Sequence, residues 1–139
     1  DLQRFIEAQK QDFDLALEEI RRGRKRSHWM WYIFPQIRGL GFSSMSAYYG
    51  IQDLKEAEDF LKDPYLGENL RTICQALLEL DTDDPHQVLG SPDNLKLLSS
   101  MTLFEAAEGK GGVFTKVIEK YYGGRRDQKT IALLEKISG

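Results

Sequence analysis

The stretch L-G-E-N-L-R-T-I-C-Q-A-L-L-E-L, residues 66–80, decides the class of fold. Its large apolar residues recur at intervals of three and four, which is the period of one face of an α-helix. They are Leu66, Leu70, Ile73, Leu77 and Leu80, with Cys74 beside them. The spacing predicts a helix whose apolar face packs against other elements of the same protein.

The segments before this helix show the same period. Residues 2–22 carry an apolar stripe of helical spacing, and Gly23 is the expected end of that helix. Ser27 is expected to cap a short second helix over residues 28–33, which Pro35 terminates. Two helices are therefore predicted on the N-terminal side.

The remaining predicted helices are recognised by their starts. Asp or Ser before a helical pattern, often with Pro at the first position, is typical of a helix N-terminus. The predicted starts are Asp53 with Glu56, Asp84-Pro85, Ser91-Pro92-Asp93, Val113 after three glycines, and Asp127. The corresponding ends are near Lys62, Gly90, Ala107, Tyr122 and Ile137.

Residues 36–50 lack helical periodicity. They contain three glycines and three serines and are predicted to form one long irregular loop, which in a compact domain is more often functional than idle. We find no hairpin, repeat or linker. The prediction is an all-α, compact single-domain bundle of about six to eight helices over residues 1–139.

Composition excludes several classes of protein. Of 139 residues, 41% are hydrophobic and 29% charged, as in soluble globular proteins. One cysteine and two histidines exclude a disulfide framework and a Cys/His zinc site, so no metal or other cofactor is predicted. No apolar run approaches a membrane span, and a cytoplasmic location is expected. The net charge of −3 argues against a surface that coats nucleic acid.

Residues 21–36 combine cations with aromatic rings. Five of the six residues from Arg21 to Arg26 are cations, and Trp29, Trp31, Tyr32 and Phe34 follow them. Nucleotides need this chemistry, because phosphate takes the charge and the base stacks on a ring. The simpler interpretation is a solvated helix end beside core aromatics.

His28 is the histidine best placed for chemistry. It lies at the start of a predicted helix and near Lys25, where an imidazole can act as general acid or base. A structural hydrogen bond is the alternative. His86 lies in a polar turn and is expected at the surface.

Two further segments carry polar side chains at suggestive spacing. In residues 39–44, glycines and serines can bring donors close to an anion, although the pattern is no Walker loop. Lys96 shares a helix face with Ser99 and Ser100, and Asp93 precedes Lys96 by one turn. A plain turn and a polar helix face are the respective alternatives.

Taken in order, these motifs resemble a bacterial and fungal family, domain of unknown function 1810, whose members are sometimes mislabelled calpastatin. The specific blocks are Ser27-His28-Trp29-Met30-Trp31, Phe34-Pro35-Gln36, Gly39-Leu40-Gly41 and Ser99-Ser100-Met101-Thr102-Leu103-Phe104. Asn69 departs from the family, which tends to have Arg there. The resemblance implies a compact all-helical fold and supplies no established activity.

The leading hypothesis is a small pocket that binds, and in one version hydrolyses, an anionic nucleotide-like ligand. His28 and Lys96 are the candidate catalytic residues. The candidate ligand-binding residues are Lys25, Trp31, Gln36, Ser43, Tyr48, Ser100, Thr102 and Asp127. The rival is a non-enzymatic interaction module whose Arg21–Arg26 patch meets a protein or RNA, and a domain that dimerises through its aromatic surface is a third interpretation.

Overall fold

The computed structural model describes residues 1–138, and that part of the chain is all-α with nine helices and no strand. In chain order they are α1 (Gln3–Arg21), α2 (Met30–Ile33), α3 (Ser44–Tyr49), α4 (Leu54–Lys62), α5 (Pro64–Glu79), α6 (Pro85–Leu89), α7 (Asp93–Glu108), α8 (Val113–Tyr122) and α9 (Gln128–Ser138). The predicted fold class is confirmed, with one helix more than expected.

Helices α5 and α7 hold the core together. The stripe Leu66, Leu70, Ile73 and Leu77 of α5 is buried against α1, α4 and α8, as the spacing predicts. Helix α7 packs against α4, α6, α8 and α9 and is buried on almost every side. A helix in this position needs small polar side chains that find partners inside the protein.

Three of the predicted helix starts are confirmed by cap hydrogen bonds. The Asp53 carboxylate accepts from the backbone N–H of Glu56 at 2.9 Å. The Asp84 carboxylate accepts from the N–H of His86 at 2.9 Å, and the Asp127 carboxylate accepts from that of Thr130 at 3.2 Å. Each carboxylate satisfies a donor that a helix N-terminus leaves unpaired.

The predicted cap at Ser27 is wrong. Helix α2 begins at Met30, and the Ser27 hydroxyl donates instead to the Glu19 carboxylate at 2.6 Å. The charged acceptor offers a stronger hydrogen bond than a helix N–H group would. Ser91 does not cap α7 either, because Pro92 precedes that helix and no side chain bonds to its first turn.

The predicted loop over residues 36–50 contains a helix. The Ser43 hydroxyl accepts from the N–H of Ser46 at 3.1 Å and starts α3, so serine acts here as a cap. The irregular stretch shrinks to residues 34–43. Two backbone hydrogen bonds of 2.8 Å, Arg38 N–H to Ile51 and Ile51 N–H to Gln36, close its base.

Two features are absent from residues 1–138. No helix there has the length and apolarity that crossing a bilayer requires. No group of three or more His, Cys, Asp or Glu residues there is arranged to hold a metal ion.

Candidate functional site

One carboxylate lies between two lysines where residues 24–29 meet the start of α7. Asp93 Oδ2 is 3.0 Å from Nζ of Lys25, and Asp93 Oδ1 is 3.2 Å from Nζ of Lys96. The exposed fractions of these side chains are 17%, 9% and 22%, in that order. Two ammonium groups share one carboxylate, so the cluster of Lys25, Asp93 and Lys96 carries one positive charge that no second acid pairs with in the part of the chain that the structure describes.

Each lysine also lies over an indole ring. Nζ of Lys25 is 5.0 Å from the centre of the Trp29 ring, and Nζ of Lys96 is 4.2 Å from the centre of the Trp31 ring. Both distances fall within the range of cation–π attraction. Trp29 is buried, whereas Trp31 is partly exposed, so the second pair is the one that a ligand can reach.

Glu19 of α1 fixes the segment that carries Lys25 and Trp29. Its carboxylate accepts hydrogen bonds from the N–H of Arg26 at 2.8 Å, from the N–H and hydroxyl of Ser27 and from the indole of Trp29 at 2.9 Å. Burial alone would raise the pKa of this carboxyl, but the four donors lower it to about 2. Glu19 is therefore ionised at neutral pH and positions the aromatic wall of the site.

A very small cavity adjoins Trp31. It is lined by the residues Trp31, Gln36, Ile37, Gly39, Leu40, Gly41, Ser46, Tyr49 and Gly50. Its volume of about 10 Å³ corresponds to at most one water molecule. The amide nitrogen Nε2 of Gln36 is buried and has no hydrogen-bond partner among residues 1–138. A whole nucleotide does not fit inside, so a ligand of that size has to lie across the rim.

Ser100 lies one turn after Lys96 on the same side of α7. It is fully buried, and its hydroxyl has no partner among the described residues. The ligand-binding role predicted for Ser100 stays a prediction.

Thr102 and Asp127 join α7 to α9. The N–H of Asp127 donates to the Thr102 hydroxyl at 3.0 Å, and the Asp127 carboxylate accepts from Ser99 at 3.0 Å and from the Thr130 hydroxyl at 2.6 Å. Packing two helices accounts for these contacts. The ligand-binding role predicted for Thr102 and Asp127 stays a prediction.

The other predicted site residues are spread over the surface. His28 is exposed, and its carbonyl accepts from the Tyr32 hydroxyl at 3.1 Å. Ser43 is exposed as the cap of α3 and bonds to Ser46, which lines the Trp31 cavity. Tyr48 is 57% exposed and faces open grooves beside Arg4. The structure therefore groups Lys25, Lys96, Trp31 and Gln36, and it does not place Tyr48 at that cavity.

Within the basic patch Arg21–Arg26, the lysine side chain lies apart from the arginine side chains. Lys25 turns inward to Asp93, whereas Arg21, Arg24 and Arg26 are exposed and no ion pair holds them within residues 1–138. Arg22 is also exposed and pairs with Glu18 at 2.8 Å. The exposed arginines form a surface separate from the lysine pair.

Sequence reasoning left Asp93 and Glu19 out of the site. For Asp93 a signal was present, because an acid three residues before Lys96 lies next to it on a helix. For Glu19 no local signal exists, since its partners follow it by seven to ten residues across a turn.

The fold and this cluster define an all-α protein in which a shared carboxylate joins the aromatic segment after α1 to the start of α7. The chain belongs to the family described as protein of unknown function (DUF1810), whose model matches residues 1–134. It is also similar to a solved structure, the conserved hypothetical protein Rv1873 from Mycobacterium tuberculosis. The two chains are 44% identical with a TM-score of 0.94, over 97% of this chain and 96% of the other. No curated protein matches the chain in sequence.

Proposed function

We propose that the face formed by Lys96, Trp31 and the loop over residues 36–43 binds a small anionic ligand with a planar ring, such as a nucleotide. The observation that carries the proposal is the sharing of Asp93 by Lys25 and Lys96. Because one acid serves two bases, an anion can join the cluster without displacing an existing ion pair.

The two lysines differ in exposure, and we propose different roles for them. Lys25 is 9% exposed and also donates to the Ser27 carbonyl at 2.5 Å, so it holds the segment in place. Lys96 is 22% exposed and lies at the surface of the cluster. Partial burial lowers the local dielectric and strengthens its attraction for phosphate. Lys96 is therefore the anion-binding group of this proposal.

Trp31 supplies the apolar surface for the planar part of the ligand. The Lys96 ammonium lies over the Trp31 ring, and the same tryptophan lines the small cavity together with Gly41. The exposed part of an indole contributes about 1–3 kcal/mol when a base stacks on it. Ser43, at the end of the same loop, bonds to Ser46, which lines the cavity beside Trp31.

Hydrolysis is the narrower version of the proposal. In this version, the exposed His28 acts as general acid or base on a ligand held by Lys96. The Lys96 ammonium stabilises the negative charge that develops during the reaction. The binding proposal does not depend on this step, and the two are separated by variants.

Thermal unfolding in the presence of defined ligands tests the proposal. The probes are the four nucleoside monophosphates, ribose 5-phosphate and pyrophosphate, since a ligand that binds the folded state raises the melting temperature. We expect a rise of several degrees with at least one nucleotide at one hundred times its Kd, because such an excess adds about 2.7 kcal/mol.

Lys96→Met removes the charge and keeps apolar contact with Trp31, so most of the rise should disappear. Lys116→Met is the matched control, since Lys116 is an exposed lysine of α8. It should leave the rise intact. The proposal fails if no probe shifts the wild-type melting temperature, or if the two variants lose the shift equally.

The exposed arginines support a second candidate, binding of an acidic protein or an RNA. Arg24 and Arg26 lie outside the lysine cluster, so Arg24→Ala with Arg26→Ala removes two of these exposed arginines and leaves the cluster intact. Partner binding there should weaken steeply with salt and should not change in Lys96→Met.

A further inference from the structure

Gln36 is one of four side chains within residues 1–138 that have a buried polar atom without a partner, and of these four it is the one that lines the cavity beside Trp31. The residue is 8% exposed, and no described residue accepts a hydrogen bond from Nε2. The backbone beside it is fixed, since the Gln36 carbonyl accepts from the Ile51 N–H at 2.8 Å. A loose loop therefore does not explain the unpaired amide. A buried donor without an acceptor costs stability, and such groups call for an explanation.

Gln9 shows what this fold does with a glutamine that has a structural role. It is 1% exposed, its Nε2 donates to the Tyr32 carbonyl at 2.8 Å, and its Oε1 accepts from Asn69 at 3.0 Å. Both ends of that amide are paired. Both glutamines are buried, and the protein pairs both ends of the Gln9 amide but leaves Nε2 of Gln36 without a partner within residues 1–138.

The surroundings of Gln36 limit what its partner can be. The cavity it lines has room for about one atom, and Trp31, Gly39 and Gly41 form its walls. A side chain at Gly41 would meet Ser46 at 3.1 Å, and Gly39 has a φ of +108°, which favours glycine. Both glycines keep the backbone close around the cavity. An exocyclic oxygen fits there, whereas an acceptor inside a ring is flanked by ring atoms and does not.

We infer that the Gln36 amide donates to an exocyclic carbonyl oxygen on the planar part of the ligand, and so determines which ligand binds. This inference rests on the proposed function, in which Lys96 holds the anion and Trp31 the ring. It narrows the ligand class to nucleotides whose base carries a carbonyl. Guanine, uracil and cytosine qualify, while adenine presents an amino group that donates rather than accepts.

Titration calorimetry with wild-type protein and Gln36→Met tests the inference. Wild type should bind GMP and UMP at least about tenfold more tightly than AMP or ribose 5-phosphate, which is the usual discrimination given by one hydrogen bond to a buried donor. Gln36→Met keeps the length of the side chain and removes the donor. It should bind GMP, UMP and AMP with similar affinity, near that of wild type for AMP. Ribose 5-phosphate has no planar ring to stack on Trp31 and should bind more weakly to both proteins.

Gln9→Met is the matched control and gives a second readout. It should lower the melting temperature of the free protein, because the Tyr32 carbonyl and Asn69 lose their partner, and it should keep the preference for GMP. Gln36→Met should leave the melting temperature unchanged or raise it, because it replaces an unpaired buried donor by an apolar group.

The outcomes separate this inference from the proposed function. If wild type binds these probes through Lys96 and Gln36→Met keeps the preference, or if wild type prefers AMP, the inference falls and the proposed function stands. The inference also falls if Gln36→Met lowers the melting temperature as much as Gln9→Met does, since the amide then bonds only to the protein or to a lone water. If wild type binds none of the probes, both fall.

Discussion

Two carboxylates hold the same segment of chain and do so in opposite ways. Glu19 accepts four hydrogen bonds from Arg26, Ser27 and Trp29, and all of its donors are neutral. Asp93 bonds to two ammonium groups, those of Lys25 and Lys96. The first acid has its full set of partners from the fold, whereas the second has more positive charge around it than it can neutralise.

The difference separates a structural centre at Glu19 from the binding centre that we propose at Asp93. At Glu19 nothing is left for a ligand to satisfy, and burial at 7% exposure keeps solvent away. At Asp93 a positive charge remains, and Lys96 is partly exposed beside Trp31. Changes at Glu19 should therefore act on stability, and changes around Asp93 should act chiefly on ligand affinity.

The largest effect is expected for Glu19→Ala. It leaves two backbone N–H groups, a hydroxyl and an indole N–H without their charged acceptor, and we expect a loss of about 4 kcal/mol in the free energy of unfolding. Urea denaturation measures it. Glu18→Ala is the control, because Glu18 makes only an exposed ion pair with Arg22 and should cost less than about 1 kcal/mol. Equal losses in the two variants would contradict the structural role of Glu19.

Acid should weaken the protein through the same residue. The pKa of Glu19 is about 2 in the folded protein and about 4.5 when unfolded, so its contribution is present above pH 4.5 and is lost as the pH falls toward 2. The shift corresponds to about 3 kcal/mol. Urea denaturation at pH 6, 4 and 3 measures the loss. Glu19→Ala should show a smaller decrease over that range, and an unchanged decrease would assign the acid sensitivity to other carboxyls.

The helices were predictable because their signals are local. Asp53, Asp84 and Asp127 act as caps through bonds to residues two or three positions along the chain. Ser27 failed as a cap because Glu19, eight residues earlier, offers its hydroxyl a charged acceptor. Tertiary contacts overrode a local preference there, and the sequence contains no pattern that reports the competition.

The candidate site was predictable in its residue types and not in its pairing. Lys25 and Trp31 stood out in one segment of the sequence and Lys96 in another, and the structure brings the two segments together through Asp93. The sequence contains no signal for the unpaired amide of Gln36. Whether a buried polar group finds a hydrogen-bond partner depends on all of its neighbours in three dimensions.

Asp93→Asn should give a smaller change in stability and a gain in affinity. It removes the counter-charge of Lys25, which is 9% exposed, and we expect a loss of about 1–2 kcal/mol in the free energy of unfolding. A second positive charge then becomes available to the ligand, so nucleotide affinity should rise about fivefold. Calorimetry at low and high salt measures it. A lower affinity would mean that Asp93 itself contacts the ligand.

The smallest effect is expected for His28→Ala, which tests the catalytic version of the proposal. The residue is exposed, so its removal should change the free energy of unfolding by less than about 0.5 kcal/mol. Nucleotide binding should persist, because Lys96 and Trp31 carry it. If the protein hydrolyses the bound nucleotide, the rate of hydrolysis should fall at least about a hundredfold without a matching loss of affinity. This is the result expected when a general acid or base is removed. A loss of affinity equal to that in Lys96→Met would instead make His28 a ligand contact, and an unchanged rate of hydrolysis would exclude it as the acid or base.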